Sequence, residues 1–366
     1  MLNTDKIKQK VLNGERLSFE DGVFLFNSTD IIELGQLAQV SLKNNLIKNK
    51  EAEKINNVYF INNHHLNLSN ICEGKCKFCA YRREEKEEGA FNYTLESAKN
   101  HIATKINSNI SEIHIVSALN PAYDITFYEE LFEFCSKTLP NVHIQALTAV
   151  EIDYISKISN ISTEETLTRL KKAGLGSIPG GGAEIFSERI REKTCPDKIS
   201  GKSWLEIMTK AHKLGIQSNA TMLCGIDETI EEKVEHILKI REVQDQTNGF
   251  MTFIPLFCHY DNTEISTEYE LTGFDMLKTY AISRLLLDNV PHLKAFWIQT
   301  GIKLAQATLA FGVDDLDGTV VEEKITRFAG ATTGQFIEKN ELIRLIKNAG
   351  KKPLERDTVY NIIKEY

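Results

Sequence analysis

The sequence predicts an α/β fold: a closed (β/α)8 TIM-type barrel, with helices before it and a helical extension after it. Three observations carry this expectation. Apolar, β-branched runs alternate with amphipathic stretches from about residue 56 to 320, which implies a parallel sheet with right-handed crossovers. Seven or eight such units over roughly 250 residues match the size of a barrel. No Pro/Gly/Ser-rich linker divides them. A doubly wound open sheet competes, but no G-x-G-x-x-G turn follows the first strand-like run, which lowers that option for dinucleotide binding.

Taken in order, residues 1–55 read as two helices ahead of the barrel. Strand-like runs follow at 57–68, 112–120, 142–150, 174–181, 216–225, 249–258 and 293–299, with a shorter one at 312–316. Helices are expected at 94–107, 125–138, 272–289 and 300–310. Three others announce their starts. Ser162 with Glu165 opens a helix that Gly174 closes. Ser203 with Glu206 opens one whose apolar stripe is Trp204, Ile207, Met208 and Ala211. Thr229 with Glu232 opens a third, carrying Ile230, Val234 and Ile237. In each, a hydroxyl stands three residues before a Glu, the pattern of a capping box. Residues 321–366 read as a helical tail without a strand signal. The domain division is therefore 1–55, 56–320 and 321–366.

Bulk properties narrow the function classes. The 366 residues are 42% hydrophobic and carry a formal charge of −8, with no Lys/Arg block. A nucleic-acid partner is not expected. The start is polar and lacks the apolar core of a signal peptide. No apolar run approaches the ~20 residues needed to span a bilayer, so no membrane association is expected and the expected location is the cytoplasm. Seven cysteines stand at 72, 76, 79, 135, 195, 224 and 258. An odd number at irregular spacing argues for reduced thiols, some of them ligands.

Cys72, Cys76 and Cys79 form C-x3-C-x2-C directly after the first strand-like run. In a barrel that loop lies at the catalytic mouth. Thiolates are soft ligands suited to zinc or iron–sulfur clusters. A closed zinc site needs a fourth ligand, yet no second C-x2-C exists. A closed four-cysteine cluster would have to recruit Cys135, Cys195, Cys224 or Cys258 from separate segments, and "TCPDK" around Cys195 reads as a loop turn. Three ligands without an obvious fourth suggest a [4Fe–4S] cluster with one open iron.

With Phe78 before its last cysteine, this motif resembles the signature of the radical S-adenosylmethionine (SAM) enzymes. The resemblance implies a cluster on Cys72, Cys76 and Cys79, with SAM bound at the open iron. SAM would then be cleaved by one electron to methionine and a 5′-deoxyadenosyl radical. It also implies a low-potential electron donor such as flavodoxin or ferredoxin. Residues 114–121, 146–152, 179–225, 236–256 and 261–263 are similar to one subgroup, the enzymes of the futalosine route to menaquinone and of deazaflavin assembly. Within it, "SNATMLCG" and "FIPLFCHYDNT" look most like the aminofutalosine synthases, with departures at Cys224 and in "FCHYDN". The implied reaction consumes SAM as co-substrate, adds its adenosyl group to 3-[(1-carboxyvinyl)oxy]benzoate and gives 6-amino-6-deoxyfutalosine. Dehypoxanthine futalosine cyclase and the deazaflavin-assembly enzyme are the alternatives within the subgroup. A zinc-stabilised binding protein is the alternative outside the enzyme class.

The expected SAM contacts are Tyr81 near the adenine or closing the cluster loop, and Ser117 and Thr148 toward the ribose or methionine amine. Gly181, central in the 180–182 triplet, would let backbone approach SAM; a strand-to-helix turn needing positive φ is the plainer explanation. Glu184 would face the methionine part, and Arg189 a carboxylate of SAM or substrate. A solvated loop carboxylate and a surface arginine compete with those roles. The small-molecule substrate, an aryl enol ether, is expected against His65, Asn219, Thr221, His259 and Gln299. His64 should point the opposite way from His65. The "RREEKEE" run reads as a solvated segment, and "DDLDGT" (314–319) as a barrel-end loop rather than a calcium loop.

Overall fold

The computed structural model describes residues 4–267, 270–334 and 336–366. Seven parallel strands lie side by side in chain order: β2 (Asn63–Asn67), β3 (Glu112–Val116), β4 (His143–Ala146), β5 (Ser177–Ile178), β6 (Gln217–Cys224), β7 (Phe250–Phe257) and β8 (His292–Leu293). Residues 315–321 close the ring. Asp315 bridges to Lys294 beyond β8, and Val321 bridges to His64 of β2, both parallel. The order β2 to β8 fixes the crossovers, and helices fill them: α4 (Leu95–Lys105), α5 (Ile125–Thr138), α6 (Ala149–Ile158), α7 (Thr163–Ala173), α8 (Glu188–Thr194), α9 (Gly201–Lys213), α10 (Ile230–Thr247) and α11 (Gly273–Leu286).

The expected helix starts hold at two places. Thr229 and Glu232 form both bonds of a capping box on α10, and the Ser162 hydroxyl accepts from Glu165 N at the start of α7. Gly174 ends α7 at φ 122°. The third start is one turn early. Ser200 caps α9 by accepting from Ser203 N, so Ser203 is already inside the helix. Its stripe of Trp204, Ile207, Met208 and Ala211 is buried as expected.

Four readings need correction. The run at 57–68 is two strands, β1 (Asn57–Ile61) and β2, parted at Asn62. Both are buried, so hydropathy shows no break between them. The tail is not purely helical. After a helix at Lys339–Asn348 come β10 (Lys352–Arg356) and β11 (Ile362–Glu365), which extend β1 and β9 (Asp315–Gly318) into a second sheet, ordered β11-β10-β1-β9. The charges in β10 hid it. Arg356 is buried against Asp315 at 2.6 Å, and Glu355 meets Lys339 at 2.7 Å. Paired in this way, charged residues sit inside a sheet that their polarity argues against. For the same reason 315–318 is a strand and not a loop: Asp314, Asp315 and Asp317 are buried against Arg284, Arg356 and Lys294. Finally, the N-terminal segment holds three helices rather than two, α1 (Thr4–Leu12), α2 (Phe19–Phe26) and α3 (Ile31–Lys48), with a 3-10 turn after them.

Candidate active site

The C-terminal ends of the barrel strands surround a cavity of about 380 Å³. This is the face on which barrels carry their chemistry. Cys72, Cys76 and Cys79 line it from the loop after β2, each a half-buried free thiol. Backbone bonds fasten that loop on two sides: Cys72 N donates to Arg83 O at 3.2 Å, and Lys77 N to Thr194 O at 2.8 Å. Leu119 N donates to Cys72 Sγ at 3.3 Å. Burial raises the Cys72 thiol and pushes Cys76 up to about 12. Without a bound cation these sulfurs stay protonated at neutral pH; a metal supplies the positive charge that releases the protons.

Lys198 is the buried cation beside them. Its ammonium pairs with Glu184 and stands 5.0 Å over the ring of Phe78. Burial pulls its pKa down, but its interactions with Cys76, Glu184 and Cys195 outweigh that and raise it, so Lys198 stays charged. It was not legible as a site residue because it ends "TCPDK", a segment that is indeed a turn, with Lys198 N donating to Cys195 O at 3.0 Å.

Of the residues expected at SAM, Tyr81, Ser117, Thr148, Gly181 and Glu184 all line the cavity. The hydroxyls of Tyr81 and Ser117 are buried without a hydrogen-bond partner. Thr148 caps α6, and its backbone N–H and that of Ser117 both donate to Glu151, at 2.7 and 2.8 Å. Burial raises the Glu151 carboxyl to about 7 against those two bonds. Gly180 and Gly182 do need positive φ, at 88° and 81°. A Cβ on Gly180 would stand 2.3 Å from Asn219 O. Gly181 and Gly182 both line the cavity, and a Cβ on Gly181 would stand 3.1 Å from Thr148 Cγ2.

Arg189 falls outside the site. It is exposed and pairs with Glu232 at 2.7 Å and Asp227 at 3.4 Å. Arg191 is the buried arginine, donating to Ala183 O at 2.7 Å and Gly182 O at 3.4 Å. Two residues along α8 turn the side chain by about 200°, so only one of the pair can reach the glycine loop.

His65, Asn219, Thr221, His259 and Gln299 line the same cavity. Three are already engaged in structure: Thr221 Oγ1 donates to Gly180 O at 2.8 Å, Gln299 Oε1 accepts from Phe257 N at 3.1 Å, and His259 Nε2 lies 3.1 Å from Gln299 O. His65 stacks on His114 with ring centroids 4.4 Å apart. Burial lowers both pKa values, so both rings are neutral. Lys294 reaches Asp317 at 3.0 Å, both buried. His114 and Lys294 gave no motif-like signal. Of the scattered cysteines, Cys258 lines the cavity, while Cys135 and Cys224 are buried in the hydrophobic core.

Residues 66–240, which contain the three-cysteine loop, match the radical SAM superfamily model. The chain is also 40% identical to the aminodeoxyfutalosine synthase of Thermus thermophilus, over 98% of this chain and 95% of that protein. This chain belongs to the radical SAM superfamily. Residues 247–365, which contain β9, β10 and β11 of the second sheet, match the CofH/MqnC C-terminal region. The 5-amino-6-(D-ribitylamino)uracil–L-tyrosine 4-hydroxyphenyl transferase 1 of Methanosarcina barkeri is 39% identical, over 84% of this chain and 83% of that protein. The [FeFe]-hydrogenase maturase HydG from Carboxydothermus hydrogenoformans shares the fold, with a TM-score of 0.74 at 18% identity over 97% of this chain and 80% of that one. The protein is thus a radical SAM enzyme of the futalosine and deazaflavin subgroup. Membership implies an iron–sulfur cluster and SAM. No helix among the described residues is long and apolar enough to cross a membrane.

Proposed function

We propose that this radical SAM enzyme joins the 5′-deoxyadenosyl part of SAM to the enol-ether double bond of 3-[(1-carboxyvinyl)oxy]benzoate, with methionine released, the aryl group migrating and the carboxyl carbon lost, to give 6-amino-6-deoxyfutalosine. The observation that carries the reading is 40% identity to an aminodeoxyfutalosine synthase along nearly the whole of both chains. The residues fit the cofactors. Cys72, Cys76 and Cys79 offer three soft donors on one loop, and the other four cysteines lie on separate segments. Tyr81 and Ser117 present buried hydroxyls that lack a protein partner, and a bound ligand would satisfy them. Loaded with cluster and SAM, such a site supplies a carbon-centred radical once an electron arrives; a small flavodoxin or ferredoxin is the donor we favour.

The chain's own residues do the rest. Tyr81 and Gly181 border the SAM end; Glu184, paired with Lys198, faces the SAM amine; Ser117 offers a hydroxyl and Thr148 borders the same wall. Lys294 and Lys198 stand ready for the two carboxylates of the substrate, since charge-assisted bonds are the strong ones. Neutral His65 and His114 donate without adding charge. Asn219, His259 and Gln299 line the same pocket, where the Asn219 and Gln299 amides offer donors and acceptors. The closed barrel wall shields the reacting atoms from water.

A second reading has its own support: the tyrosine-joining relative is 39% identical. One experiment separates them. Reconstituted enzyme is given SAM and dithionite with either the carboxyvinyloxy-benzoate, dehypoxanthine futalosine, or tyrosine plus ribitylaminouracil. The proposal expects an adenosyl-bearing product with the first alone. Turnover with only the second or third would replace it with the cyclase or the deazaflavin reading.

A further inference from the structure

Behind the barrel wall, three ligating side chains meet that the reaction does not use. His64 lies on β2, where strand alternation turns it away from the cavity that His65 faces. His101 comes from α4, and Glu322 from the segment that closes the barrel. Glu322 Oε2 is 3.6 Å from His101 Nε2 and 3.9 Å from His64 Nε2, and the three ligand atoms lie within 4.8 Å of one another. Both Nε2 atoms are buried and have no hydrogen-bond partner, and His64 is only 4% exposed. The contacts to Glu322 are too long for hydrogen bonds. Leaving a buried nitrogen unpaired is costly, and two of them aimed at one carboxylate lack a protein-only explanation.

We propose that His64, His101 and Glu322 bind a zinc-class divalent cation, which fastens the chain after β9 to β2 and α4. Two imidazoles and one carboxylate, with a water in the fourth place, are an established donor set for such ions. Tetrahedral ligands at ~2.0–2.1 Å stand roughly 3.3 Å apart, so the two contacts to Glu322 need to close by well under an ångström and the two imidazole nitrogens by at most about 1.5 Å. The other nitrogen of His101 is already held, with Tyr93 Oη 3.3 Å from Nδ1; such a bond fixes ring orientation and tautomer in metal sites. Burial lowers the pKa of His64 and of His101, which leaves both lone pairs available at neutral pH. Lys324 and, more weakly, Lys105 oppose a cation there. Lys324 is turned over the ring of Phe91, 5.4 Å from its centroid. The backbone supports the geometry: Val320 and Glu322 both adopt positive φ, 49° and 65°, around the Val321 bridge to His64. The next residue, Glu323, lines the active-site cavity.

The test uses the anaerobic, cluster-loaded enzyme dialysed against micromolar zinc, with zinc and iron counted by mass spectrometry and zinc ligands read by X-ray absorption. The proposal expects about one zinc per chain, bound by nitrogen and oxygen at ~2.0–2.1 Å without sulfur. Binding should weaken at least tenfold in His101→Gln and, independently, in Glu322→Gln, with iron content unchanged. Circular dichroism checks the fold of each variant, and either one alone decides the matter. No zinc in the wild type, sulfur-bound zinc, or equal zinc in a folded variant overturns the site.

Discussion

Lys198 and Glu184 form a buried ion pair next to the sulfur of Cys76. Glu184 reaches it from a left-handed backbone position at φ 47°, where its carbonyl also accepts from Leu223 N at 3.0 Å. Within the pair, the Lys198 ammonium is the positive charge set beside the cysteine loop. Potentials of iron–sulfur centres follow local charge and hydrogen bonding. Lys198→Met should therefore lower the cluster midpoint by tens of millivolts, while Lys198→Arg should stay near the wild type. A redox titration followed by electron paramagnetic resonance reads the difference, and equal potentials in all three proteins would remove Lys198 from the account.

Cysteine replacement tests the three-ligand assignment. Cys72→Ala, Cys76→Ala and Cys79→Ala should each drop bound iron from about four per chain to near zero. Cys195 makes this a demanding comparison, because its thiol is close enough to influence Cys76 electrostatically. Cys195→Ala should keep its iron. Parallel iron and sulfide analyses decide it, and iron loss in Cys195→Ala would mean that four cysteines hold the cluster.

The glycine loop supplies a stability prediction. Gly180→Ala must place a methyl at φ 88° and 2.3 Å from Asn219 O. The backbone penalty alone is roughly 1–2 kcal/mol, and the clash adds to it. A fall of several degrees in the thermal midpoint is expected, with weaker SAM binding because Gly181 and Asn219 move together. An unchanged midpoint would show that the loop relaxes freely.

Acid sensitivity follows from His236. Its Nε2 lies 2.9 Å from Thr221 O, and its ring stacks 3.9 Å from that of Phe186. Burial lowers its pKa from 6.5 to about 3. A depressed folded pKa means that the unfolded chain takes up the proton first. The stability is therefore present above pH 6.5 and is lost as pH falls toward 3. At about 1.4 kcal/mol per unit, the contribution reaches roughly 2–3 kcal/mol by pH 4.5. His236→Gln should lose less stability than the wild type between pH 7 and 4.5, measured by urea unfolding. Parallel curves would contradict the assignment.

Much of this was legible in the sequence, and the exceptions share a cause. Alternating apolar runs and the capping pairs at Ser162 and Thr229 revealed the barrel, because burial there is local and periodic. The cysteine loop was legible because ligand spacing is chemistry written in order. β10 was not, because its charges are neutralised by Asp315 and Lys339, which are distant in sequence. Lys198 and Lys294 escaped for the same reason: each is fixed by a partner carboxylate that only the fold brings near. Arg189 was preferred over Arg191 because sequence alone does not give the helical phase of a seven-residue helix.

The central claim is most directly tested by following the adenosyl carbons of SAM. Reconstituted enzyme, dithionite and the carboxyvinyloxy-benzoate are combined with SAM labelled with carbon-13 in its ribose, and the products are weighed by mass spectrometry. The account expects the label in 6-amino-6-deoxyfutalosine, at one product per SAM consumed. Label recovered wholly in 5′-deoxyadenosine, with the benzoate untouched, would contradict it.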